Sequence, residues 1–110
     1  MLNAYGKKIL FTGDMEFWEE ATLLDNDIDV SADILKVANH GNPDASSSRF
    51  LNAVSPEYAV ICTDRSVDYD SASELVINAL PNTKFYITDE YKLGVFFTIN
   101  ENGEISVEAK

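Results

Sequence analysis

Three short apolar runs set the problem for this chain: Ile9-Leu10-Phe11, Ile34-Leu35-Lys36-Val37-Ala38 and Tyr58-Ala59-Val60-Ile61-Cys62. Each is long enough for a strand and too short for a helix, and each stops at a polar break. Between them lie segments with apolar residues at three- and four-residue steps, the spacing of an amphipathic helix. Strand, helix, strand in regular alternation implies right-handed crossovers and a mainly parallel α/β sheet.

The first strand is expected over Lys8 to Thr12, closed by Gly13, with Asp14 able to cap a helix that starts near Met15. Phe17, Trp18, Ala21 and Leu24 form the stripe expected to face the sheet. Asp25 to Asp33 is an acid-rich connection, followed by the second strand, which ends at Asn39-His40-Gly41. Ser46, Ser47 and Ser48 offer caps for a short helix bearing Phe50, Leu51 and Val54, and Pro56 stops it. After the third strand comes Thr63-Asp64-Arg65. Ser71-Ala72-Ser73-Glu74 has capping-box spacing ahead of the stripe Leu75, Val76, Ala79 and Leu80. Phe85 to Ile87 reads as a fourth strand, and Gly94–Ile99 with Glu104–Val107 as a hairpin around Asn100 to Gly103. The resulting order is βαβαβα with a terminal antiparallel hairpin, a single domain over residues 1–110.

The chain has 110 residues, 45% apolar, and 19 acidic against 8 basic side chains for a net charge of −11. That is enough apolar matter for one core. The acidic balance disfavours nonspecific attraction to nucleic acid or anionic membrane, which depends on clustered Lys and Arg. A single cysteine, Cys62, excludes an internal disulfide, favours a reducing compartment, and is expected in the core. No secretory signal and no apolar stretch of membrane-spanning length is expected.

Ligands of open α/β sheets gather at the carboxyl ends of the strands, which here carry Asp14, Asn39-His40 and Asp64. Asp14 can ligate a metal or cap a helix. His40, the lone histidine, can ligate or sit as an ordinary loop residue. Two such ligands fall short of the three protein ligands a catalytic zinc usually takes. Ser46 to Ser48, at a helix start, can hold a phosphate through backbone N–H groups or simply cap. Asp25-Asn26-Asp27-Ile28-Asp29 begins like a calcium loop, but Val30 and Lys36 stand where glycine and glutamate are required.

Taken together, Ile9-Leu10-Phe11-Thr12-Gly13-Asp14, Asp33 to Gly41, the serine run, and Pro56 to Ile61 resemble metallo-β-lactamase-fold hydrolases. Among these they are most similar to the soluble domain of ComEC-type DNA-uptake competence proteins. The resemblance runs through Ile87-Thr88-Asp89 and Gly94 but covers only the C-terminal half of that fold. It implies that Asp14 bridges two metals and that His40 is a late histidine ligand, with zinc or manganese as the metal. Metal-activated water would then attack a phosphodiester or another ester, with Asn39 and Ser46 to Ser48 facing the substrate and Asp64 in support. Two departures stand out: Asn39 replaces the first histidine of a His-His-Gly-Ser pattern, and Tyr69-Asp70-Ser71-Ala72 replaces Tyr-Gly-His-Pro. The family's His-rich motif has no counterpart before Lys8.

Two functions follow as expectations. One is part of a metal-dependent hydrolase, incomplete and inactive as this chain alone, whose partner is the missing N-terminal half. The other is a non-catalytic interaction or assembly module retaining half a hydrolase fold, with self-association covering the exposed face. A flavodoxin-like regulatory domain phosphorylated on Asp14 or Asp64 is a third alternative, without the paired acids that would hold magnesium.

Overall fold

In a computed structural model, which describes all residues 1–110, five of seven strands form one sheet, with three α-helices on one face and a two-stranded hairpin on the other. The five-stranded sheet runs in sequence order through β1 (Leu2–Ala4), β2 (Lys7–Phe11), β3 (Ile34–Lys36), β4 (Tyr58–Ile61) and β5 (Lys84–Ile87). All neighbours from β2 to β5 are parallel, and β1 is antiparallel to β2. Helices α1 (Phe17–Asp25), α2 (Ser48–Val54) and α3 (Glu74–Asn78) are the crossovers. Leu35, Ala59 and Ile61 of the strands meet Phe50, Leu51 and Val54 of α2 and Val76 of α3 in one buried cluster, with Leu23 and Leu24 of α1 packed against it, so all three helices lie on the same face.

Side chains alternate across a strand. Leu10, Leu35, Ala59, Ile61, Phe85 and Ile87 therefore point to the helices, while Ile9, Phe11, Ile34, Lys36, Val60 and Cys62 line the opposite face. A separate antiparallel hairpin, β6 (Val95–Ile99) with β7 (Ile105–Ala109), packs on that second face. Its Phe97 ring stands edge-on to Tyr58 at 5.7 Å and to Tyr86 at 6.0 Å. Asn100 closes the hairpin turn, its side-chain oxygen accepting from the N–H groups of Asn102 and Glu104, each at 3.0 Å.

Several expectations are corrected. The antiparallel addition to the main sheet is β1, joined to β2 through Tyr5 and Gly6 at φ +50° and +82°; the terminal hairpin forms its own sheet. Two consecutive positive φ values define the tight hairpin turn that suits strand twist, but Tyr is not among its usual residues. Asp14 does not cap α1. The N-cap is Glu16, whose N–H donates to the Glu19 carboxylate at 3.0 Å. The expected stripe of α1 holds only in its second half: Leu24 packs on the core beside Leu23 and Ala21 is half-buried, but Phe17 and Trp18 are 48% and 81% exposed, and Glu20 is buried instead. Ser73, not Ser71, caps α3; the Ser71 hydroxyl instead accepts from Thr63 Oγ1 at 2.6 Å and donates to the Asp68 carbonyl. Leu75 faces solvent rather than the core.

Candidate functional site

Parallel neighbours β2, β3 and β4 bring the chain to the same end of the sheet three times, and there the backbone is tied across segments. The Asn39 N–H donates to the Gly13 carbonyl at 2.9 Å, Ala72 N–H to the His40 carbonyl at 3.1 Å, and Ser73 N–H to the Gly41 carbonyl at 2.9 Å. Asn39, His40 and Gly41 all have positive φ, +47°, +56° and +71°. Only glycine adopts that region without cost, so two side-chain-bearing residues are held there by their surroundings. At Gly41 an added Cβ would lie 3.1 Å from Ile61 Cγ2 and 3.2 Å from the Ala72 nitrogen, and no larger residue fits without displacement.

His40 is exposed at the tip of this turn. Its Nδ1 lies 2.6 Å from the Cys62 carbonyl oxygen. A carbonyl can only accept, so Nδ1 is the donor in this contact. A shallow cleft of about 200 Å³ opens beside it, lined by His40, Cys62, Thr63, Asp64, Val67 and Asp68. Asp64 is exposed, and its carboxylate accepts from the N–H and hydroxyl of Ser66. Asp14 is exposed at the end of β2, next to the Gly13 carbonyl that holds Asn39, and does not line the cleft.

Of the remaining predicted residues, Asn39, Ser46 and Ser47 are already engaged. The Asn39 side-chain amide donates to Asp44 Oδ1 at 3.1 Å. The N–H groups of Ser46 and Ser47, which a phosphate would need, donate to the two carboxylate oxygens of Glu20 at 2.5 and 2.8 Å. Ser47 Oγ accepts from Phe50 N–H, and Ser48 is exposed. An internal carboxylate thus fills the place the sequence offered to a ligand. Cys62 is half-buried rather than core, on the boundary between the cleft and the second sheet face.

One feature of this edge escaped the sequence reading. Arg65 forks onto Asp89, with Nε at 2.8 Å from Oδ2 and Nη2 at 2.6 Å from Oδ1, while its own N–H donates to Oδ2 at 2.9 Å. Hydrogen bonds from Arg65 hold the Asp89 carboxyl below the usual carboxylate range, and Asp89 in turn pushes the Arg65 guanidinium up. Bidentate geometry of this kind fixes direction as well as charge, and it locks the loop after β4 to the end of β5.

The donor set tests whether a metal fits. No three His, Cys, Asp or Glu side chains come together as a cation site. Asp14 and His40 supply one carboxylate and one imidazole, and the neighbouring Asn39 amide is committed elsewhere. The residues of this chain do not by themselves fit a catalytic zinc, which takes three protein ligands.

The chain is 37% identical over 76 residues to the competence protein ComA of Neisseria gonorrhoeae, a match covering 68% of this chain and 11% of that protein. It is thus similar to a competence protein and spans about a tenth of that relative's length. No family model matches, and no solved structure matches. No helix is long and apolar enough to cross a membrane.

Proposed function

We propose that this chain is part of a competence-protein-like domain with a role related to DNA uptake, and that Asp14 and His40 are its contribution to a hydrolytic metal centre of metallo-β-lactamase type. The remaining ligands come from polypeptide outside these 110 residues. The reading rests chiefly on the likeness to a competence protein, of which the chain spans 11%. It is supported by the placement of His40, which is exposed and whose Nδ1 is engaged with the Cys62 carbonyl, since an imidazole ligand is commonly oriented through its second nitrogen in this way. Zinc or manganese is the metal and a phosphodiester or other ester the substrate class. With two ligands in place, the isolated chain carries out no hydrolysis.

A second reading, an assembly module without catalysis, is favoured by the apolar half-face of the sheet left beside the hairpin. Metal analysis separates the two. The chain is dialysed against zinc and against manganese, bound ions are counted, and a chromogenic phosphodiester is assayed, each with wild type and His40→Ala. Weak zinc binding that His40→Ala abolishes, without turnover, supports the half-centre. Zinc or manganese binding indifferent to His40→Ala and Asp14→Ala favours the module. Tight stoichiometric zinc with turnover in the chain alone overturns the claim that it is incomplete.

A further inference from the structure

The burial of Glu20 decides what α1 turns outward. Residues two apart on a helix lie about 200° around its axis. Holding Glu20 against the Ser46 and Ser47 amides therefore sets Trp18, the only tryptophan of the chain, into solvent. Beside it runs a shallow cleft of about 410 Å³, lined by Met15, Trp18, Glu19, Thr22 and Leu23. Met15 and Leu23 are half-buried and packed against the core, so they supply its apolar floor. The Thr22 hydroxyl is spent within the helix, donating to the Trp18 carbonyl at 2.8 Å. The Glu19 carboxylate is the cleft's charged group. Its Oε2 accepts from Glu16 N–H, while Oε1 has no donor in the chain.

The surroundings are acidic without compensation. From Ile9 to Leu35 there is no Lys or Arg, the longest such stretch in the chain, and it carries eight of the 19 acidic residues. Four of these are engaged: Glu20 by the two amides, Asp25 by Arg49, Asp29 by Lys8, and Asp33 by the Lys8 N–H. The other four, Asp14, Glu16, Glu19 and Asp27, form no ion pair, and the first three precede or follow Trp18 closely in sequence. Acids at a helix start are favoured by its dipole, but the dipole gives no reason for an exposed indole among them.

We propose that this cleft docks a basic polypeptide segment, with an arginine stacked on Trp18 and paired with Glu19, and an apolar side chain against Met15 and Leu23. An indole face attracts a cation, and a planar guanidinium can lie on the ring while its N–H groups reach a neighbouring carboxylate. Other occupants fit less well. A net charge of −11 repels nucleic acid and anionic membrane, and a two-fold contact with a second copy sets Glu19 towards its own kind. Small quaternary ammonium ligands are held by cages of several rings, and this cleft has one. The cleft lies on the helical side of the sheet, opposite the hairpin, and shares no residue with the metal centre proposed above, so either proposal can fail alone.

Trp18 reports on the cleft directly. Titrating the chain with a short synthetic peptide of Arg, Leu and Gly should shift its emission saturably to the blue as the ring leaves water, and added salt should weaken the effect. With the same peptide carrying fluorescein, anisotropy should show Trp18→Ala weakening binding about fivefold or more and Glu19→Gln about threefold. Glu101→Gln, which removes the same charge at the exposed hairpin turn, should change it by less than about 1.5-fold. Lys in place of the peptide's Arg should bind more weakly, and Glu not at all. Trp18 and Glu19 are exposed, so both variants should fold, and the wild-type emission carries the test if they do not. Absence of binding, or binding indifferent to Trp18→Ala, would overturn the proposal. Equal losses from Glu19→Gln and Glu101→Gln would do the same, since the peptide would then answer only to overall charge. So would a concentration-dependent dimer in sedimentation that Trp18→Ala dissolves, because the occupant would be a second copy.

Discussion

Glu20 is buried to 1% exposure, and both its carboxylate oxygens accept from the backbone at the entry to α2, from Ser46 N–H at 2.5 Å and Ser47 N–H at 2.8 Å. Ser47 is the N-cap of α2 and Ser46 the residue before it, so neither amide has an intrahelical partner, and both are joined to a residue of α1 that lies 26 and 27 positions earlier. Glu20→Ala removes both acceptors and strands both donors, the Ser46 amide in a buried setting. Hydrogen bonds to a charged group contribute about 1.5–3 kcal/mol each, and a stranded buried donor costs about 1–3 kcal/mol. With the Ser47 amide partly reachable by water, the expected loss is about 3 kcal/mol. A domain of this size has a total of about 5–15 kcal/mol, so the variant should fold but melt about 12 °C lower. Glu20→Gln keeps one carbonyl oxygen but turns an NH2 toward a donor, and should lose about 2 kcal/mol. Urea unfolding gives the magnitude, and amide exchange gives the location: Ser46 and Ser47 should be protected in the wild type and fast in Glu20→Ala. An Ala variant within about 0.5 kcal/mol of wild type, inside the range of an ordinary surface change, would refute the assignment. A more stable Glu20→Met would refute it in another way, by showing that desolvation of the carboxylate outweighs its two bonds.

Gly41→Ala places a Cβ against Ile61 and the Ala72 nitrogen at φ +71° and should cost about 1–2 kcal/mol, with the His40 ring resonances shifting as its turn moves. Gly103→Ala sets a Cβ 2.9 Å from the Tyr5 carbonyl; it should loosen the hairpin from the sheet, read as faster Cys62 alkylation with little change in the main unfolding transition. Asp89, whose carboxyl Arg65 holds below its ordinary value of 3.8, contributes stability that is fully present above that value and is lost as pH falls through the lower, folded one. Asp89→Asn should accordingly flatten the acid limb of a urea-midpoint profile; an unchanged limb would show that the fork contributes nothing. Asp29, pulled down to about 2 by hydrogen bonds from Ser31 and then by Lys8, acts in the same direction, and Asp29→Asn should leave the profile flatter only below about pH 4.

The strands and helices that the sequence made legible are those whose signals are local. Phe50, Leu51 and Val54 share a helical stripe and are all buried, and the runs at β2, β3 and β4 needed nothing beyond their own apolar continuity. The errors sit where the deciding partner is remote. On α1 two faces share Leu24, one continuing through Phe17 and Trp18, the other through Glu20 and Leu23. Hydrophobicity alone selects the first. The structure uses the second because the Ser46 and Ser47 amides require an acceptor that no neighbour in sequence provides. The same bond removes those amides from the site the sequence had offered to a phosphate, so one unforeseen carboxylate changed both the fold and the candidate site. β1 was invisible for a different reason, since its turn sets Tyr5 in the left-handed region, where sequence expectation looks for Asn, Asp or Gly. Lys36 is the converse case. Its position in an apolar run marked it only as a strand residue, and nothing in that pattern said that its charge would stand unpaired on a half-covered face. That consequence belongs to the hairpin, which packs its Phe97 on Tyr58 and Tyr86 of β4 and β5 and leaves Phe11 exposed and Lys36 half-buried. A period-2 pattern tells which residues share a face, but which layer lies over that face is decided by chain segments sixty residues away, or by another polypeptide.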